Sequence, residues 1–169
     1  MSTLRQANFT ANLNVSIDNA LSLYTVNDGL SQAFSQLFAS GTGDNQVNKL
    51  YSAQVTTTGA GLNLSVYNFG GAKDAFGQAY ALAGVRLLII QSFSDNNIVV
   101  SISSGLGNAW QYLFGGTTDD KLRISARGTL VLLAPTNVGY TVTPSANTIN
   151  IADEFSLTTT FNIMVLGYQ

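Results

Sequence analysis

The chain has 169 residues, no cysteine and no histidine, and only 9% of it is Asp, Glu, Lys or Arg, against about 25% in an ordinary soluble domain. That length holds one domain with a real core, while the missing residue types exclude disulfides, thiolate chemistry, the usual base of Ser hydrolases and the commonest zinc ligand. With net charge −2 and seven scattered basic residues, nucleic acid and anionic membrane are poor partners, and copies of the chain repel one another little.

The opening Met1-Ser-Thr-Leu-Arg-Gln6 lacks the basic start and apolar run of a signal peptide. The longest apolar stretch, Val85 to Ile90, is too short to span a bilayer. The expectation is synthesis in a cytoplasm without secretory export.

Phe9, Ala11, Leu13, Val15 and Ile17 alternate with Thr10, Asn12, Asn14 and Ser16, which predicts a strand with one solvated face. Asp18-Asn19 is expected to turn the chain, with Leu21 to Tyr24 returning as a short partner. Leu30, Ala33, Phe34, Leu37 and Phe38 fall at i, i+3, i+4, i+7 and i+8, and so predict an amphipathic helix. Asn27 or Asp28 would cap it and Gly41 would close it. Gly41 to Gln46 then reads as a loop, dividing an N-terminal strand–helix attachment segment (1–48) from a body (49–169) within one compact domain.

From Lys49 the pattern is strand after strand: Leu50 to Thr58, Leu62 to Asn68, Val85 to Ser94, Ile98 to Ser103, Lys121 to Ser125, Thr129 to Ala134, Tyr140 to Thr143, Thr148 to Ile151 and Thr158 to Leu166. Gly59-Ala-Gly61 and Asp95-Asn-Asn97 read as hairpin turns. Val85 to Ile90 and Thr129 to Ala134 are apolar on both faces, as central strands are. The expected class is all-β, an antiparallel sandwich or jelly roll with one short N-terminal helix, and a closed barrel is the alternative.

Little here can do chemistry. The adjacent acids Asp119-Asp120 and Asp153-Glu154 would point to opposite faces of a strand, so neither pair flanks a glycosidic bond. Asp44-Asn-Gln46 and Asp95-Asn-Asn97 carry hard oxygen ligands, but turns favour these residues for backbone reasons alone. No catalytic residue, metal ligand or cofactor is assigned. Trp110 and Tyr112, with Phe114 in step, are candidate stacking rings for a glycan, although a buried core stripe is the favoured reading, since large aromatics dominate buried area.

Several stretches carry a resemblance: Gly41-Thr-Gly-Asp-Asn-Gln-Val-Asn-Lys49, Asp74-Ala-Phe-Gly77, Asn108-Ala-Trp110, Leu113-Phe-Gly-Gly116, Arg127 to Pro135, Gly139-Tyr-Thr-Val142 and Phe161 to Gly167. Their order resembles that of small virion proteins of tailed bacteriophages, the capsid decoration, cement and head-fibre kinds. The resemblance implies a non-enzymatic structural protein resident on the virion, partnered by the major capsid or another virion protein and by further copies of itself. The candidate assembly contact is Phe9, Leu13, Val15, Ile17, Leu30, Phe34, Leu37 and Phe38, since an amphipathic strand can add to a neighbour's sheet edge and repetition on a particle multiplies a modest contact. The alternative is a carbohydrate- or host-receptor-binding module.

Overall fold

The computed structural model describes residues 4, 6–20, 25–73, 77–102, 108–113 and 120–169. The protein is all-β. Its strands are β1 (Gln6–Ala20), β2 (Thr25–Ser40), β3 (Gln46–Val47), β4 (Lys49–Thr57), β5 (Leu62–Ser65), β6 (Gly84–Ser92), β7 (Ile98–Ser101), β8 (Lys121–Ile124), β9 (Thr129–Leu133), β10 (Tyr140–Thr141), β11 (Thr148–Asp153) and β12 (Thr159–Tyr168). They form three sheets, and every named pair except β2–β3 is antiparallel.

The expected N-terminal helix is absent. Residues 25–40 form β2 instead, paired rung for rung with β1 from Gln6↔Ala39 to Ala20↔Thr25. The physical reason lies in a second period hidden under the helical one. Even positions carry Leu30, Gln32, Phe34, Gln36 and Phe38, while odd ones carry Gly29, Ser31, Ala33 and Ser35, with Leu37 the one large apolar residue among them. As a strand, the even set lies opposite the apolar odd positions of β1, and a helix would leave β1 without a backbone partner. Asp18 and Asn19 do not turn the chain; they pair with Asn27 and Val26 inside the ribbon. The expected return strand at Leu21 to Tyr24 lies outside the described residues, as does Ser103 at the end of the fourth expected body strand.

The body strands fall where alternation placed them, several shortened at the ends. Two sheets share them. One runs β4–β12–β6, with β9 and β10 both on the far edge of β6; the other runs β5–β11–β7–β8. Six links pass from one sheet to the other, and four of them are β4 to β5, β6 to β7, β8 to β9 and β11 to β12. Register places all four at one end, since Thr57 pairs Thr159, Ser92 pairs Phe161, and Ile98 pairs both Asp153 and Ile124. Gly59-Ala-Gly61 and Asp95-Asn-Asn97 are therefore inter-sheet crossings and not hairpin turns. The crossings crowd together. A Cβ on Gly59 would stand 2.2 Å from the Ser156 carbonyl oxygen, so the first crossing packs on the last only because residue 59 has no side chain.

Inward positions of both sheets meet in one core: Leu88 and Ile90 of β6, Phe161, Ile163 and Val165 of β12, Ile98 and Val100 of β7, and Ile149 and Ile151 of β11. Tyr51, Phe69 and Tyr80 add an aromatic cluster, Tyr51 stacked on Phe69 at 3.8 Å and Tyr80 edge-on to both. β6 is central, as its apolar run predicts. β9 pairs only β6 among the described strands, and its Val131 is exposed.

Candidate assembly interface

Opposed residues of an antiparallel pair lie on the same face. The β1–β2 register therefore sorts the ribbon into two unlike faces. Ala7, Phe9, Ala11, Leu13, Val15 and Ile17 share one with Phe38, Gln36, Phe34, Gln32, Leu30 and Asp28. The other holds Asn8, Thr10, Asn12, Asn14, Ser16 and Asp18 with Leu37, Ser35, Ala33, Ser31, Gly29 and Asn27. Seven of the eight candidate contact residues fall on the apolar face. Leu37 does not: helical spacing grouped it with Phe34 and Phe38, but neighbours in a strand alternate, and Leu37 sits opposite Asn8, 53% exposed.

The base of the apolar face is seated on the body. Phe38 and Val47 are fully buried with Leu87 and Leu166 on the outer side of the β6–β12 sheet, and Leu4, Ala7, Phe9, Leu50, Ile89 and Leu133 pack around them. That cover stops quickly. Ala11, one step beyond Phe9 on the same face, is exposed, as are Thr10 and Asn12. Rungs Thr10↔Ser35 to Ala20↔Thr25 pair with no other described strand.

The loop that ties the ribbon to the body is held at several points. Ala39 N–H donates to Asn45 O (2.9 Å), Gly41 N–H to Val47 O (3.1 Å), and Asn45 N–H to Pro135 O (2.8 Å). Gln46 Oε1 accepts the Gly43 N–H, and its side chain occupies the space a Cβ on Gly41 would need. Asn45 adopts φ 54°, a left-handed conformation that asparagine tolerates, and its Oδ1 accepts from Gln36 Nε2 at 2.9 Å.

Arg86 completes the tie. Leu87 pairs Leu166 and Val85 pairs Gly167, so Arg86 is the extra residue of a β-bulge. The bulge switches strand parity and turns Arg86 towards the loops. Its guanidinium is fully buried: Nη2 donates to Thr42 O (2.8 Å) and Asn137 O (3.0 Å), and Cζ lies 4.6 Å from the centre of the Tyr168 ring. Burial lowers its pKa, and the nearby charges of Tyr168 and Asp44 act the other way. An arginine inside the apolar run Val85 to Ile90 was the only sequence signal for this clamp, and periodicity alone gave it no role.

The other candidate groups are engaged elsewhere. Trp110 is fully buried, with its Nε1–H donating to Thr141 O at 2.6 Å and its ring edge-on to Tyr140, so it cannot be a stacking surface for a glycan. The expected extended step to Tyr112 is replaced by a 3₁₀ turn over Gln111–Leu113, which leaves Tyr112 exposed and out of line. Phe114 and Asp119 lie outside the described residues. Asp153 turns its Oδ1 to the N–H groups of Phe155 and Leu157, while Glu154 pairs with Arg123 and accepts from Asn97. Asp95 pairs with Arg127 at 2.6 Å. Among the described residues no three His, Cys, Asp or Glu side chains gather as a metal site would require.

Comparison of the chain with protein-family models, with curated proteins and with solved structures found no match.

Proposed function

We propose that this protein is a non-enzymatic structural subunit of a phage particle, a decoration or cement protein whose β1–β2 ribbon is its attachment element. The observation that carries this reading is the ribbon itself, a two-stranded arm with one apolar face that continues past the point where the body covers it. Two-stranded ribbons are marginal in water without packing on a hydrophobic face, so such an arm implies a partner.

The body supports the same reading. We read strand order β4–β12–β6–β9 beside β5–β11–β7–β8, with four crossings at one end, as a jelly-roll arrangement, an architecture used by viral capsid proteins and lectins. Fold alone does not assign function. The weakly charged surface and the resemblance to small virion proteins add to it, and repeated contacts on a particle would give affinity through effective concentration.

A host-receptor or carbohydrate role is the second reading, favoured by one observation. At the crossing end, away from the ribbon base, Phe93, Phe155 and Leu157 are all exposed on neighbouring loops. A subunit anchored by its ribbon would present that end outward.

The test is co-sedimentation of the full chain with phage particles purified from the source strain after deletion of its gene. Saturable binding at a fixed copy number per particle is expected. Protein that stays in the supernatant at every concentration would contradict the proposal.

A further inference from the structure

Beyond Phe9 the ribbon runs for eleven rungs, Thr10↔Ser35 to Ala20↔Thr25. Register places Leu13, Val15, Ile17, Val26, Leu30 and Phe34 on one face of this stretch, with Asp28 its sole charged residue. The opposite face holds only Thr, Asn, Ser, Gly, Ala and one Asp. At about 3.3 Å per residue and about 4.8 Å between strands, the face measures roughly 36 Å by 10 Å.

We infer that the occupant of this face is the same face of a second copy of the chain, two ribbons packing into a shared sheet-on-sheet contact. The inference rests on the ribbon being the assembly element and names its partner. Three features select a copy over a foreign chain. Two such faces apposed remove on the order of 1,000 Å² once side-chain relief is included, the lower bound for a specific interface, and a second copy supplies a face of matching length. The contact is isologous, so a single apolar stripe serves both sides without a complementary surface elsewhere on the molecule. Electrostatics oppose the contact at one place only, since Asp28, opposite Ile17 near the far end, is the sole charged residue on this face. A foreign partner chosen by charge would find almost nothing to read. Gln32, set opposite Leu13, puts one polar residue within the stripe that can fix the offset between the two ribbons.

The chain contains no cysteine, which makes cross-linking clean. Single variants Leu13→Cys, Val15→Cys, Ile17→Cys and Leu30→Cys place a thiol on the apolar face; Asn12→Cys, Asn14→Cys and Ser16→Cys place one on the other. Full-length variants are oxidised mildly and run without reductant. At least one apolar-face variant is expected to shift from 17.9 kDa to twice that mass, while the three polar-face variants stay monomeric. Equal cross-linking on both faces, or none on the apolar face, would overturn the inference. Should the uncrosslinked variants still bind particles, the ribbon's partner is a virion protein, and the proposed function survives without this step.

Discussion

The guanidinium carbon of Arg86 lies 4.6 Å from the centre of the Tyr168 ring, and the same guanidinium donates to Thr42 and Asn137 carbonyls. One buried side chain thus joins the loop below the ribbon to the last strand and to the β9–β10 loop. Arg86→Lys keeps the charge but loses the planar stack and the fork. It is expected to lower stability by about 1–3 kcal/mol in urea unfolding. Faster amide exchange at Asn45, whose N–H is bonded to Pro135 O, should accompany it. Unchanged unfolding and exchange would mean that the clamp does not hold the loop.

Gly59 faces the Ser156 carbonyl across two crossings with no room for a methyl group. Gly59→Ala should destabilise the fold by about 1–3 kcal/mol through overpacking, read as a lower urea midpoint at unchanged slope. A neutral result would show that the two crossings separate easily.

Trp110 and Tyr112 should behave in opposite ways. Trp110→Ala removes a fully buried ring and its hydrogen bond to Thr141, for a loss of about 3–5 kcal/mol. Tyr112→Ala, at an exposed position, should stay within about 0.5 kcal/mol. Similar losses at both sites would contradict the placement of these rings.

Alkali should weaken the fold through Tyr51. Burial raises its phenol above the ordinary value near 10, so the folded state holds the proton longer than the unfolded one. The contribution is complete below pH about 10 and falls away as pH rises through the folded pKa. Tyr51→Phe should flatten that fall in a series of unfolding curves taken from pH 8 to 11. An identical slope in both proteins would remove Tyr51 as the cause.

Strands in the body were legible because their inward positions repeat every second residue, as in β12, where Phe161, Ile163 and Val165 are buried. Residues 30–38 were not, because Leu30, Phe34 and Phe38 satisfy a helical stripe and an alternating one together. What decided between them was a partner strand 15 to 31 residues away in sequence, from Val15↔Leu30 to Ala7↔Phe38, and such pairing leaves no local mark. The same holds for Gly59 and Asn97: turn chemistry is visible, but whether a turn joins neighbours in one sheet or crosses to another depends on strands far along the chain. Of the contact residues, the alternating set on β1 was found by its period, whereas Leu37 was misgrouped by the wrong one. Arg86 stood in plain view, yet its role depends on a one-residue bulge that composition does not announce.

The most direct test of the ribbon as assembly element is mass in solution by light scattering, on full-length protein and on Leu13→Asp and Val15→Asp, with Asn14→Asp on the other face as control. The account predicts a defined oligomer for the parent and the control. The two apolar-face variants should be folded monomers, with unchanged near-ultraviolet circular dichroism, that no longer sediment with particles. Apolar-face variants that keep both the parent's mass and its particle binding would contradict it.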